Sequence, residues 1–116
     1  MPCEVVGDVQ GKTCILVDDM IDTAGTITQA AFALQERGAS KVICAATHAV
    51  FSGPAVERLN ASGMAEIIVT NTLPIRTAEP IDNLTVLSIA PLIARAINAV
   101  FRDGSVTSLF GGQAYK

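Results

Sequence analysis

Four apolar residues, Cys14-Ile15-Leu16-Val17, run directly into a pair of carboxylates, Asp18 and Asp19, and an amphipathic stretch opens six residues later at Gly25. A short aliphatic run of this kind reads as a buried strand. The stretch after it places Ile27, Ala30, Ala31 and Leu34 at the i, i+3, i+4, i+7 spacing of one helix face, and Gly38 supplies the stop. The spacing therefore predicts a strand over Thr13 to Val17 that ends at the acids, a polar loop, and a helix over Gly25 to Arg37. A strand feeding a helix in this way is the first half of a βαβ unit, which restricts the chain to a few architectures.

The rest of the chain repeats the alternation. Lys41 to Thr47 predicts a second buried strand, and Ser52-Gly53-Pro54 opens a helix running to about Ala61. Glu66 to Thr70 predicts a third strand, Asn71 to Asn83 a polar loop, and Leu84 to Ile89 a fourth strand. Pro91 to Arg102 predicts a last helix with Leu92, Ile93, Ala96, Ile97, Val100 and Phe101 on one face. Val5-Val6 is a candidate short strand, and the glycine-containing tail from Asp103 is expected to be irregular. The pattern implies an α/β fold with right-handed crossovers and a parallel sheet carrying helices on both faces. The core must rest on aliphatic residues, because half the chain is apolar and only 4% is aromatic. A length of 116 residues suits one domain over the whole chain.

Several function classes are excluded. Only 16% of the residues are charged, the formal net charge is −3, and no cluster of Lys and Arg marks a nucleic-acid groove. No apolar run approaches the roughly 20 residues of a bilayer span. The first residues carry neither a basic region nor an apolar h-region, so no signal peptide is expected. Cys3, Cys14 and Cys44 form no Cys-x-x-Cys pair, which points to a reduced, cytoplasmic setting with Cys14 and Cys44 in the core.

The loop Asp18 to Thr26 carries the chemistry. Ligands of open α/β sheets sit at the carboxyl ends of the strands. Asp18 and Asp19, delivered there, suit a vicinal diol or a divalent cation. Asp22, Thr23, Ala24, Gly25 and Thr26 lead into a helix N-terminus, where free N–H groups and the macrodipole suit a phosphate. Gly25 allows close backbone approach, and Thr23 and Thr26 add donors. Thr26 as a simple N-cap is the plainer alternative. Three acids within five positions are not explained by capping, because adjacent carboxylates repel. A diol at one end and a phosphate at the other describe a sugar phosphate.

The opening Ile15-Leu16-Val17-Asp18-Asp19 is shared with receiver domains of two-component signalling. Those need a mid-chain phosphoacceptor Asp and a late-strand Lys. Here no Asp lies between Asp22 and Asp82, and the lysines are Lys12, Lys41 and Lys116, so that reading is rejected.

Val17 to Thr26 instead resembles the phosphoribosyl-binding motif of type I phosphoribosyltransferases and of the ribose-phosphate pyrophosphokinase family. The likeness to the latter is closer. It extends over Gly7-Asp8-Val9 and Gly11-Lys12, Ala46 to Gly53, Val69 to Pro74, and Ser105 to Phe110, in the family's order. The resemblance implies a Rossmann-like three-layer sandwich of the type I phosphoribosyltransferase kind. It implies a domain that binds ribose 5-phosphate or phosphoribosyl pyrophosphate in an enzyme transferring a diphosphoryl group from ATP, with magnesium. Asp18 and Asp19 are then expected at the ribose hydroxyls and as magnesium ligands, and Asp22 to Thr26 around the 5-phosphate. Ser105, Ser108 and Phe110 match a regulatory interface region. The resemblance also implies homo-oligomers, or partnership with an N-terminal synthetase half.

The likeness is to the second half of that family's chain only. The ATP site, a metal-binding His and a basic catalytic loop belong to the first half and the segment joining the halves, and no catalytic residue is identified here. The chain is therefore expected to bind the sugar phosphate without catalysing transfer alone. Two alternatives stand: a non-catalytic regulatory module that contacts a full-length synthetase, and a phosphoribosyltransferase. The latter needs loops upstream of the acidic pair, and only 17 residues precede Asp18. His48, the single histidine, falls at the end of the second strand, either at the ligand or in an ordinary hydrogen bond.

Overall fold

The computed structural model describes residues 4–102. Its elements are β1 (Thr13–Ile21), α1 (Gly25–Glu36), β2 (Lys41–Ala49), α2 (Ala55–Ala61), β3 (Glu66–Thr70), β4 (Leu84–Leu87) and α3 (Ala90–Phe101). The four strands form one sheet in the order β1-β2-β3-β4, and every neighbouring pair is parallel. This is the α/β alternation that the sequence implies. Val5 and Val6 lie outside every strand. The tail from Asp103 and Cys3 lie outside the described residues.

A sequential order of parallel strands has a consequence for the layers. Right-handed crossovers then carry each connecting helix over the same face. α1 and α2 accordingly touch each other, and α1 also lies on β1 and β2. Beneath them, Val42, Cys44 and Ala46 of β2 and Ile67 and Val69 of β3 are buried, with Leu16 packed against them. Ile27 and Ala31 of α1 and Ala55 and Leu59 of α2 complete this core. Gln35 of α1 ties the two helices by donating to the Ser62 carbonyl at 3.0 Å.

The opposite face differs. Period-2 alternation sends Ile15 and Val17 to that side, where they are 62% and 80% exposed. α3 buries none of its residues, and its apolar face, with Ile93, Ile97, Val100 and Phe101, is exposed. Among the described residues, then, two layers are packed and the second sheet face is open. The apolar spacing of Ile15 and Val17 records a strand with two apolar faces, but the helix that the pattern implies over the second face is not packed there.

Cys44 is fully buried and Cys14 half-buried, in line with core roles. Burial pushes the Cys44 thiol up from its ordinary 9.0 to about 11, partly offset by a backbone hydrogen bond at Ile68. The thiol of the unfolded chain ionises first, so stability is intact below pH 9 and falls as pH rises toward 11. A shift of this size corresponds to about 2–3 kcal/mol at the top of that window. Denaturant melts at pH 8 and pH 11 should show this loss, and Cys44→Ala should lose correspondingly less between the same two pH values. Equal losses in both proteins would exclude the thiol as the cause.

Candidate functional site

β1 does not stop at the acids. It continues through Asp18, Asp19 and Met20 to Ile21, with Asp18 opposite Ala46, Met20 opposite His48 and Ile21 opposite Ala49. Asp has low strand propensity, but pairing with the long β2 outweighs it and both carboxylates stay exposed to water. The extension changes the geometry of the pair. Successive strand residues point to opposite faces, so Asp18 and Asp19 diverge. Asp18 turns to the side of α1 and lines a cleft of about 150 Å³ together with Asp22, Thr23, Ala24, Gly25 and Thr26. Asp19 is absent from that lining. Its N–H donates to the Asp18 carboxylate at 2.8 Å.

The floor of the cleft is the start of α1. No side chain caps this helix. Ala24 stands at the N-cap position in the left-handed region, with φ 66° and ψ 14°, and is buried. Thr26 falls inside the first turn and is not the cap. Thr28 satisfies itself by donating to the Ala24 carbonyl at 2.5 Å and the Gly25 carbonyl at 3.1 Å. The first intrahelical N–H bond also reaches Ala24, from Thr28 at 3.2 Å. The N–H groups of the turn before it therefore have no capping side chain. A left-handed non-glycine residue costs on the order of 1–2 kcal/mol, and such strain gathers where a ligand is held.

A second loop braces the first. Phe51, just after β2, is also left-handed at φ 51° and buried. Val50 and Phe51 both donate to the Ile21 carbonyl, at 3.0 and 3.1 Å, and Ser52 N–H donates to the Asp22 carbonyl at 2.9 Å. The Ser52 hydroxyl donates to the Asp22 carboxylate. From α2, Arg58 Nη1 donates to the Thr23 carbonyl at 3.1 Å. Sequence reasoning missed Ser52 and Arg58. They lie 30 and 35 positions from their partners, and no local pattern encodes such contacts.

His48 pairs with Thr72 through Nδ1 and Oγ1 at 2.7 Å, which is the ordinary hydrogen-bonded role. Among the described residues no group of three or more His, Cys, Asp or Glu is arranged to hold a metal ion. Asp18 and Asp22 do share the cleft. Two carboxylates with ligand oxygens are the donor set that magnesium takes, whereas transition metals favour nitrogen and sulfur. No helix among the described residues is long and apolar enough to cross a membrane. Ser105, Ser108 and Phe110 lie outside the described residues.

Comparison with known proteins fits this geometry. The family described as "Phosphoribosyl synthetase-associated domain" matches residues 1–111. The chain is 61% identical over 110 residues to a ribose-phosphate pyrophosphokinase of Streptomyces coelicolor, covering 95% of this chain and 34% of the relative. It is 60% identical over 110 residues to one of Mycobacterium tuberculosis, again spanning 34% of that protein. The crystal structure of phosphoribosylpyrophosphate synthetase from Mycobacterium smegmatis superposes with a TM-score of 0.80 at 62% identity, over 85% of this chain and 33% of that one. The chain thus spans about a third of the length of the relatives it matches. It belongs to the phosphoribosyl synthetase-associated domain family and corresponds to the C-terminal region of ribose-phosphate pyrophosphokinase.

Proposed function

We propose that this chain is the sugar phosphate cradle of a ribose-phosphate diphosphokinase, binding ribose 5-phosphate or its product phosphoribosyl pyrophosphate. The observation that carries this reading is the uncapped N-terminus of α1 opening into a cleft shared with two carboxylates, Asp18 and Asp22. The N–H groups of the first turn, with Thr23 and Thr26, receive the 5-phosphate. Asp18 accepts hydrogen bonds from the ribose hydroxyls. Asp19, which does not line the cleft, contributes through its backbone bond to Asp18. Magnesium, when bound with the ligand, would be held by Asp18 and Asp22 and would neutralise phosphate charge.

Binding is proposed without turnover by this chain alone. Transfer of a diphosphoryl group from ATP relies on positive charge and metal around the moving group. Among the described residues, no lysine or arginine lines the cleft. The partners proposed are therefore the remaining segments of a synthetase of this family, or further copies of the chain, in the cytoplasm. That the chain covers about a third of its relatives is consistent with this.

Titration with ribose 5-phosphate, with and without magnesium, tests the reading. Amide resonances of Asp22 to Thr26 should shift at millimolar ligand or below. Unmoved resonances at that concentration would refute the cradle. Incubation with ATP and ribose 5-phosphate should yield no AMP from the chain alone, and steady AMP formation would refute the claim of incompleteness.

A further inference from the structure

Arg58 sits in the middle of α2, on its exposed side. Its guanidinium crosses to the neighbouring β1–α1 loop, where Nη1 donates to the Thr23 carbonyl at 3.1 Å. The same atom stands 3.1 Å from the point a Cβ on Gly25 would occupy, with Cζ at 3.9 Å. The cation therefore lies beside the first turn of α1. Gly25 is the first residue of a regular helix and needs no left-handed backbone. What its missing side chain provides is room for the guanidinium.

The charge has a use there. A helix N-terminus offers roughly half a positive charge. A phosphate ester carries about −1.5 to −2 at neutral pH. The macrodipole alone leaves most of that charge unmatched, and the cleft itself is lined by Asp18 and Asp22, which are of the same sign as the ligand. Arginine presents five N–H donors in a fixed plane. Among the described residues Arg58 uses one of them, on Thr23.

We infer that Arg58 is a positioning residue of the sugar phosphate site, resting on the ribose 5-phosphate reading above. Its bond to Thr23 fixes the peptide that forms one wall of the cradle. Its charge beside α1 sets the preference of the site for the phosphate dianion over the monoanion. The glycine at position 25 is the counterpart that keeps the guanidinium close.

Calorimetric titration with ribose 5-phosphate at pH 5.5 and pH 7.5 separates the two roles, because the second phosphate ionisation lies near pH 6. The wild-type chain should bind more tightly at the higher pH. Arg58→Ala should bind about 10- to 100-fold more weakly at pH 7.5, the worth of a charge-assisted hydrogen bond, and should lose most of the gain between the two pH values. Arg58→Lys keeps the charge without the planar fork. It should retain the pH gain with affinity between the other two proteins. Arg58→Gln, neutral but still a donor, replaces the alanine variant should that variant fail to fold. Affinity unchanged by the loss of the cation overturns the inference, as does an equal loss at both pH values, which marks a purely structural role. No saturable binding by the wild type removes the functional reading, and this inference with it. Wild-type binding that Arg58→Ala leaves intact removes this inference alone.

Discussion

Thr26→Asp should weaken binding of ribose 5-phosphate by roughly 100-fold while leaving the domain as stable as before, or slightly more so. Thr26 lies exposed in the first turn of α1, the turn that has no capping side chain. A carboxylate there would interact favourably with the macrodipole, worth about 0.3–1 kcal/mol of helix stability. The same carboxylate would occupy the N–H groups proposed for the 5-phosphate and would repel it. Two like charges a few ångströms apart in a partly solvated cleft cost about 2–4 kcal/mol, so affinity should fall by roughly 100-fold. The opposite signs make the test sharp. A variant that unfolds would lose binding for an uninformative reason, but this one should show an unchanged or raised midpoint in thermal melts. Binding retained within about threefold would mean that the phosphate does not sit on α1.

Ile67→Ala should be the most damaging of the simple truncations. Ile67 is 1% exposed, in β3 between β2 and β4, under the layer of α1 and α2. Removing its branched side chain leaves a cavity that the flanking strands cannot close, at a cost of about 2–5 kcal/mol. A domain of this size has about 5–15 kcal/mol in total. Val17→Ala removes a side chain of comparable character from β1, but Val17 is 80% exposed. Its cost in the isolated chain should stay within about 0.5 kcal/mol. Urea melts of the two variants check the contrast. Similar losses in both would mean that the second face of the sheet is covered in solution.

That contrast shows where the sequence stops being informative. Val17 and Ile67 sit in equally apolar runs, and each is compatible with burial. Apolar spacing reports which faces of a strand favour cover, not whether cover is present in this chain. The same limit applies to α3, whose apolar stripe from Leu92 to Phe101 is plain in the sequence and lies exposed in the fold.

Local features were legible wherever the physics is local. β3 spans Glu66–Thr70 as the apolar run predicts, and α1 begins at Gly25 as the spacing of Ile27, Ala31 and Leu34 requires. The loop from Asp18 to Thr26 stands out as a candidate site because small residues, hydroxyls and acids at the junction of a strand and a helix have few structural uses. The apolar run predicts an end at Val17, short of the observed Ile21, because carboxylates signal the end of a buried run. Backbone pairing with β2 carried the strand on to Ile21. In that extension Asp18 lines the cleft and Asp19 does not.

The sequence by itself thus determined a parallel α/β domain and marked the stretch from Asp18 to Thr26 as its candidate site, because strand and helix periodicity and loop composition are properties of neighbours in the chain. The tertiary structure alone decided which carboxylate enters the cleft, that Ala24 rather than a polar cap begins α1, and that Ser52 and Arg58 brace the β1–α1 loop from 30 or more residues away. Those outcomes depend on which elements come to lie side by side, and packing of distant segments leaves no periodic mark on the chain.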